Sequence, residues 1–173
     1  VKDYTSISKV LAALAKVAFK GVMVDERYDI SEGTLTKGNI TLEGDVVAHI
    51  PDGVVTIGES AFMSNPYITK VIISDSVTSI GNHAFDNCRS LTSITIPDSV
   101  TSIGDYAFVW CTSLTSITIP DSVTSIGERA LGDCSNLTDI YYTGTQADWG
   151  QIAKGTDAIP AGVTIHYEYT PET

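Results

Sequence analysis

The chain has 173 residues, a hydrophobic content of 43%, which suits a globular fold, and a formal net charge of -11. That length fits one domain with end pieces and can bury a continuous core. The acidic balance argues against nucleic acid, which needs clustered Lys and Arg to release counterions, and against anionic membrane surfaces. No apolar run reaches roughly eighteen residues, so no membrane-spanning helix is expected.

Taken in chain order, the first segment, Ile7 to Val24, is interrupted by Lys9, Lys16 and Lys20. A signal peptide has an unbroken apolar centre, so this stretch is not read as one. Ile7, Val10, Leu11, Leu14, Val17 and Ala18 instead share one face of a helix, with Thr5, Ser6 or Ser8 as N-cap and Gly21 just past its end. Two roles are open to it: capping the units that follow, or docking a neighbouring domain or partner. Residues 22–44 then alternate (Val22, Val24, Leu35, Ile40, Leu42), with Lys37-Gly38-Asn39 as the expected hairpin turn.

Beyond residue 44 the chain repeats itself. Ile57-Gly58, Ile80-Gly81, Ile103-Gly104 and Ile126-Gly127 recur every 23 residues, and the fourteen residues Leu91 to Gly104 recur unchanged as Leu114 to Gly127. Ala61-Phe62, Ala84-Phe85, Ala107-Phe108 and Ala130-Leu131 follow in step, then Asn65, Cys88, Cys111 and Cys134. A fixed period of this size is the mark of a solenoid.

One unit gives the local geometry. Ile94 and Ile96 alternate with Thr95, a short strand with one buried side. Pro97 and Asp98 stop it, because proline has no N–H and Asp-Ser favours a turn. Val100 to Ile103 makes a second extended leg, and Gly104 allows a corner that a Cβ would hinder. Ala107, Phe108 and Cys111 are spaced like the inner side of a helical or 3₁₀ turn. The inward residues of one unit cannot form a core alone, but stacked units can bury them as columns.

The run Leu-x-x-Ile-x-Ile-Pro-x-Ser-Val-x-x-Ile-Gly-x-x-Ala-Phe-x-x-Cys resembles the BspA-like, or Treponema pallidum-type, leucine-rich repeat, over about Asp45 to Thr143. The resemblance implies an α/β-type repeat solenoid: a right-handed superhelix with a parallel sheet on the concave face, short helical or 3₁₀ turns on the convex face, and caps at both ends. It divides the chain into an N-terminal helix and hairpin cap (1–44), about four 23-residue repeats (45–143), and a C-terminal cap with a linker tail (144–173). It also implies a bacterial cell-surface or secreted protein used in adhesion, without enzymatic activity. Ser76, Ser99 and Ser122 stand where many leucine-rich repeats carry an Asn ladder, and the first unit, Val46 to Ile50, lacks the Leu-x-x-Ile lead.

In the C-terminal segment, Thr145-Gln146-Ala147-Asp148 reads as a capping box with Asp in place of Glu. Trp149 and Ile152 share a face of a short helix that Gly155 would end, and Val163, Ile165 and Tyr167 alternate as a closing strand. Trp149 is read as a core residue of this cap, and residues 168–173 as a linker.

Chemistry is sparse. Three cysteines in one column, one per unit, suit neither a tetrahedral metal site nor a disulfide framework and read as core fillers. His49, His83 and His166 share no repeat position, and no phosphate loop, metalloprotease motif or nucleophile elbow occurs. No catalysis, cofactor or metal is therefore expected. Asp52, Asp75, Asp98 and Asp121 form a row that calcium could bridge, but the row is read first as each Asp serving its own turn after the strand.

For a binding partner, the strand positions Thr92, Ser93, Thr95, Thr115, Ser116 and Thr118 form a uniform Thr/Ser carpet of low information. Differences between units gather around the Ala-Phe turn, at Met63, Tyr67, His83, Arg89, Tyr106, Val109, Trp110 and Arg129. Tyr, Trp and Arg dominate interface hot spots, so this surface is one candidate for meeting a protein or glycan partner, with the strand face and the end caps as the others. A structural spacer between other domains is the rival reading.

Overall fold

The computed structural model describes residues 27–31, 34–39 and 46–171. The helix expected over 5–20 lies outside them. Thirteen strands are present among the described residues: β1 (Arg27–Ser31), β2 (Thr34–Asn39), β3 (Val46–Ile50), β4 (Thr56–Ile57), β5 (Ile68–Ile73), β6 (Ser79–Ile80), β7 (Ser93–Thr95), β8 (Ser102–Ile103), β9 (Ser116–Ile119), β10 (Ser125–Ile126), β11 (Asp139–Tyr142), β12 (Ala153–Lys154) and β13 (Thr164–His166). Among the described residues one helix, α1 (Gln146–Gln151), interrupts the last turn.

The strands form two sheets, one on each leg of the repeat. The first runs β1-β2-β4-β6-β8-β10-β12 and the second β13-β11-β9-β7-β5-β3. All pairings are parallel except β1 with β2. Register follows the sequence period: Ser79 faces Ser102, which faces Ser125. The result is a parallel-sheet β-solenoid of about five turns.

Each turn contributes the same inward side chains to one core. Phe62, Phe85 and Phe108 stack with centroids 5.1 and 5.3 Å apart and planes within 2°. Ile57, Ile80, Ile103 and Ile126 form a second buried column, and Leu91, Leu114 and Leu137 a third. Burying each such side chain contributes about 1.5–3 kcal/mol, so the columns supply the stability that a single turn lacks.

The expected helical turns, and with them the α/β-type class, are not what forms between Gly104 and Cys111 or in the matching segments. Each of these arcs is a run of tight turns, with the N–H of residue i+3 bonded to the carbonyl of residue i (Met63 to Ser60, Asn65 to Phe62). Alternate N–H groups leave the turn altogether. Tyr106, Phe108 and Trp110 donate to the carbonyls of Glu128, Ala130 and Gly132 in the next rung, and Ser60, Phe62, Ser64, His83, Phe85 and Asn87 do the same. A helix would need those donors for itself. Two residues per arc also take positive φ: Ser60 and Ser64, His83 and Asn87, Tyr106 and Trp110, Arg129 and Asp133. A left-handed residue breaks any helical run. The arcs thus make a third inter-rung ladder.

The corners approach closely at glycine. A Cβ on Gly104 would meet Asn82 Oδ1 at 2.5 Å and Asn82 N at 2.7 Å, and one on Gly127 would meet Asp105 N at 2.4 Å. Gly155 belongs to this column, 2.4 Å from Glu128 N in the same sense, and does not end α1 as expected; the helix C-cap is Ile152. The serines that replace the Asn ladder form a ladder of their own. Ser76, Ser99 and Ser122 Oγ donate to the carbonyls of Val54, Val77 and Val100 at 2.8, 2.6 and 2.8 Å.

At the N-terminal side the hairpin turn is not at Lys37-Gly38-Asn39. Those residues lie in β2 and pair with Asp29, Tyr28 and Arg27, while Ser31 faces Thr34 at the other end. Strand β2 then pairs with β4 and extends the first sheet. The irregular first unit is visible as a register shift between Val46 and Val47.

At the C-terminal side the capping box forms: Thr145 Oγ1 accepts from Asp148 N–H, and the Asp148 carboxylate accepts from Thr145 N–H. Trp149 packs edge-on against Tyr142 at 5.1 Å, and Ile152 and Ala158 are buried in the core. The Lys154 ammonium lies 4.7 Å from the centre of the Trp149 ring and donates to the Trp149 and Ile152 carbonyls. No helix among the described residues is long and apolar enough to cross a membrane.

Candidate functional site

Two of the columns that vary from rung to rung are held at positive φ. One column contains Ser60, His83, Tyr106 and Arg129, at φ between 46° and 57°. The other contains Ser64, Asn87, Trp110 and Asp133, at φ between 55° and 61°. Asn and Asp tolerate this conformation because their short polar side chains bond locally, but for a bulky side chain it costs roughly 1–2 kcal/mol. Tyr106 and Trp110 occupy both slots of one arc.

Of the residues expected to meet a partner, the arc brings five together. His83 and Tyr106 stack at 5.0 Å with planes 3° apart, and Arg129 follows in the same column. His83 Nδ1 is 2.9 Å from the Asp86 carboxylate, and Tyr106 Oη donates to Glu128 Oε1 at 2.7 Å, which raises the phenol's pKa. Arg129 pairs with Asp133. Trp110, in the neighbouring column, is 48% exposed. Arg89 is exposed, and its Nε donates to Asn87 Oδ1 at 2.7 Å, one rung from Trp110.

Three others stand apart. Met63 and Tyr67 are exposed, at 49% and 40%, but belong to the first arc, two strand spacings or roughly 9–10 Å from the Trp110 rung. Val109 is buried, at 4%, and offers no contact surface in the folded chain. Met63, at the same repeat position, is exposed.

The strand face is less uniform than its central rungs. Its outward column runs His49, Ile72, Thr95, Thr118, Tyr141, His166, so His49 and His166 do share a repeat position, contrary to expectation. At the far end Tyr141 lies 4.7 Å from both His166 and Tyr169, and His166 Nε2 is 2.6 Å from Asp139 Oδ1. This bond holds the Asp139 carboxyl below its ordinary range, with help from Thr138 Oγ1. Tyr141 was within reach of the sequence, 23 residues after Thr118. His166 was not, because α1 and its flanks lengthen the last turn and pair Tyr141 with a residue 25 positions on.

The cysteine column is buried, with each thiol donating to a carbonyl one rung back: Cys88 to Phe62, Cys111 to Phe85 and Cys134 to Phe108, at 3.1–3.2 Å. Burial pushes the Cys88 and Cys134 thiols up to about 12 and raises Cys111 too. Such thiols are neutral packing groups. Asp52, Asp75, Asp98 and Asp121 are exposed along one edge, and Asp52 accepts from Ser74 Oγ. Among the described residues no three His, Cys, Asp or Glu side chains are grouped to hold a metal.

This geometry has solved relatives. A leucine-rich repeat protein of Treponema pallidum superposes with a TM-score of 0.59 at 26% identity, covering 82% of this chain and 61% of that one. A leucine-rich repeat protein of Bacteroides capillosus gives 0.56 at 34% identity, covering 63% and 85%; one of Bacteroides ovatus gives 0.58 at 30%, covering 86% and 37%. The chain thus spans about three fifths of the Treponema protein and under two fifths of the B. ovatus protein. No curated protein matches the sequence. Residues 47–153 match the model of the BspA type leucine-rich repeat region in six copies, so the chain belongs to that family.

Proposed function

We propose that the chain is a non-enzymatic binding or adhesion module of a bacterial surface or secreted protein, and that it meets a protein or glycan partner through the arc that carries Tyr106 and Trp110. One observation carries this reading: two large aromatic residues occupy positions whose backbone favours Asn or Asp, and one of them leaves half its indole in solvent. Packing alone would select Asn or Asp there, as at Asn87 and Asp133. Leucine-rich repeats are generally non-enzymatic scaffolds, which supports a role without chemistry. In this proposal residues 1–44 and 144–173 close the two ends of the 45–143 array, since an open solenoid core must be covered. The capping box and the buried Ile152 and Ala158 support the second closure.

The test is binding of the whole chain and of Trp110→Asn to a glycan array and to immobilised extracellular-matrix proteins. Loss of a wild-type signal in the variant supports the arc site; a retained signal overturns it. No wild-type signal on either surface favours the spacer, which the near-identical Thr/Ser rungs also suit.

A further inference from the structure

The arc ladder is regular until its last step. In each complete rung three N–H groups donate forward to the next: Ser60, Phe62, Ser64; His83, Phe85, Asn87; Tyr106, Phe108, Trp110. In the last one, Arg129 N–H reaches the Thr156 carbonyl at 2.9 Å and Leu131 N–H the Ala158 carbonyl at 3.0 Å. The third donor, Asp133 N–H, has no acceptor among the described residues. Thr156, Asp157 and Ala158 retrace the arc, with Asp157 at φ 52° like the residues of its column. The chain then departs at Pro160, and a positive-φ turn at Gly162 leads it away to β13.

Where the ladder stops there is an open groove of about 390 Å³. Leu137, Ile159 and Pro160 supply apolar walls, and Arg129, Asp133 and Asp157 the charge. Arg129 is already paired with Asp133, whereas the Asp157 carboxylate has no partner among the described residues. The groove is therefore net acidic, within a chain of net charge -11. At Ser64, Asn87 and Trp110 the equivalent donor meets a backbone carbonyl, from Asp86, Val109 and Gly132.

We propose that this groove binds an extended basic peptide segment, one of whose backbone carbonyls accepts from Asp133 N–H as the next rung's carbonyl does elsewhere on the arc. Main-chain bonding at the end of a ladder supplies register and affinity, and side-chain complementarity supplies selectivity. A Lys or Arg of the segment faces Asp157, and an apolar neighbour lies against Ile159 and Pro160.

The experiment is an ¹⁵N–¹H titration of the whole chain with acetylated, amidated Lys-Val-Lys-Val-Lys and with its all-Glu counterpart, together with amide exchange. In the free chain the Asp133 amide exchanges fast while those of Asn87 and Trp110 are protected. The basic peptide shifts the Asp133 signal and slows its exchange, and Asp157→Asn, which keeps a residue type suited to positive φ, weakens binding several-fold. Protection of Asp133 in the free chain equal to that of Trp110 overturns the proposal. So does an Asp133 signal that the basic peptide leaves in place, or an equal response to the acidic peptide.

Discussion

The rings of Phe85 and Phe108 lie 5.3 Å apart and within 2° of parallel, fully buried, with the thiol of Cys111 bonded to the Phe85 carbonyl beside them. Offset stacking at this distance is favourable, and each ring is clamped by the rung above and the rung below. Replacing Phe108 with Ser leaves a ring-sized cavity and a hydroxyl in an apolar column. The expected loss is about 3–5 kcal/mol, a large share of the roughly 5–15 kcal/mol that holds a typical domain folded. Circular dichroism melting should show the array unfolding roughly 6–20 °C below the parent. A variant that melts with the parent would refute the stacked columns.

The serine ladder offers a smaller and more graded test. Ser99→Ala removes one donor to the Val77 carbonyl at 2.6 Å, a loss of about 1 kcal/mol. Combining it with Ser76→Ala and Ser122→Ala should lower the urea midpoint further, in roughly equal steps, with the m-value unchanged. Unequal or absent steps would show that water replaces these hydroxyls without cost.

Trp110→Asn sets two effects against each other. The half-exposed indole forfeits about 1–1.5 kcal/mol of burial, and Asn relieves a positive-φ cost of roughly 1–2 kcal/mol. Net stability should change by less than about 1 kcal/mol while partner binding is lost. A large destabilisation would mean that the indole serves the fold.

Burial holds the thiols neutral, so Cys88, Cys111 and Cys134 should react with a disulfide reagent at pH 8 only as fast as the chain opens. Labelling should be complete in denaturant and slow without it. Rapid modification of Cys111 in the native chain would contradict the column.

Asp139 and Asp148 both have carboxyls held below the ordinary 3.8, Asp139 first by the bond from His166 and Asp148 first by the bond from Thr145. A depressed folded-state value means that their contribution is fully present above the unfolded value and is lost as pH falls through the folded one. The melting temperature should therefore fall as pH drops below about 4, and Asp139→Asn should flatten part of that fall. An acid limb identical in variant and parent would remove Asp139 from the account.

By itself the sequence determined the period, the register and the inward columns. Ile94, Phe108, Leu114 and Cys111 are inside because a 23-residue unit can bury them only against copies of itself. Serine in the Asn-ladder place was equally visible. What the arcs do was not. The spacing of Ala107, Phe108 and Cys111 is compatible with a helical or 3₁₀ turn, and only the presence of the next rung, competing for the Tyr106, Phe108 and Trp110 donors, turns it into a third ladder. Val109 and Met63 hold the same repeat position, yet one is buried and the other exposed, which depends on neighbouring side chains and not on spacing. The pairing of Tyr141 with His166 arises where the inserted α1 breaks the period, and the Asp133 N–H is left without an acceptor among the described residues where the chain departs at Pro160. A repeat fixes what stacks on what while it lasts; where it stops, only packing in three dimensions decides which groups meet.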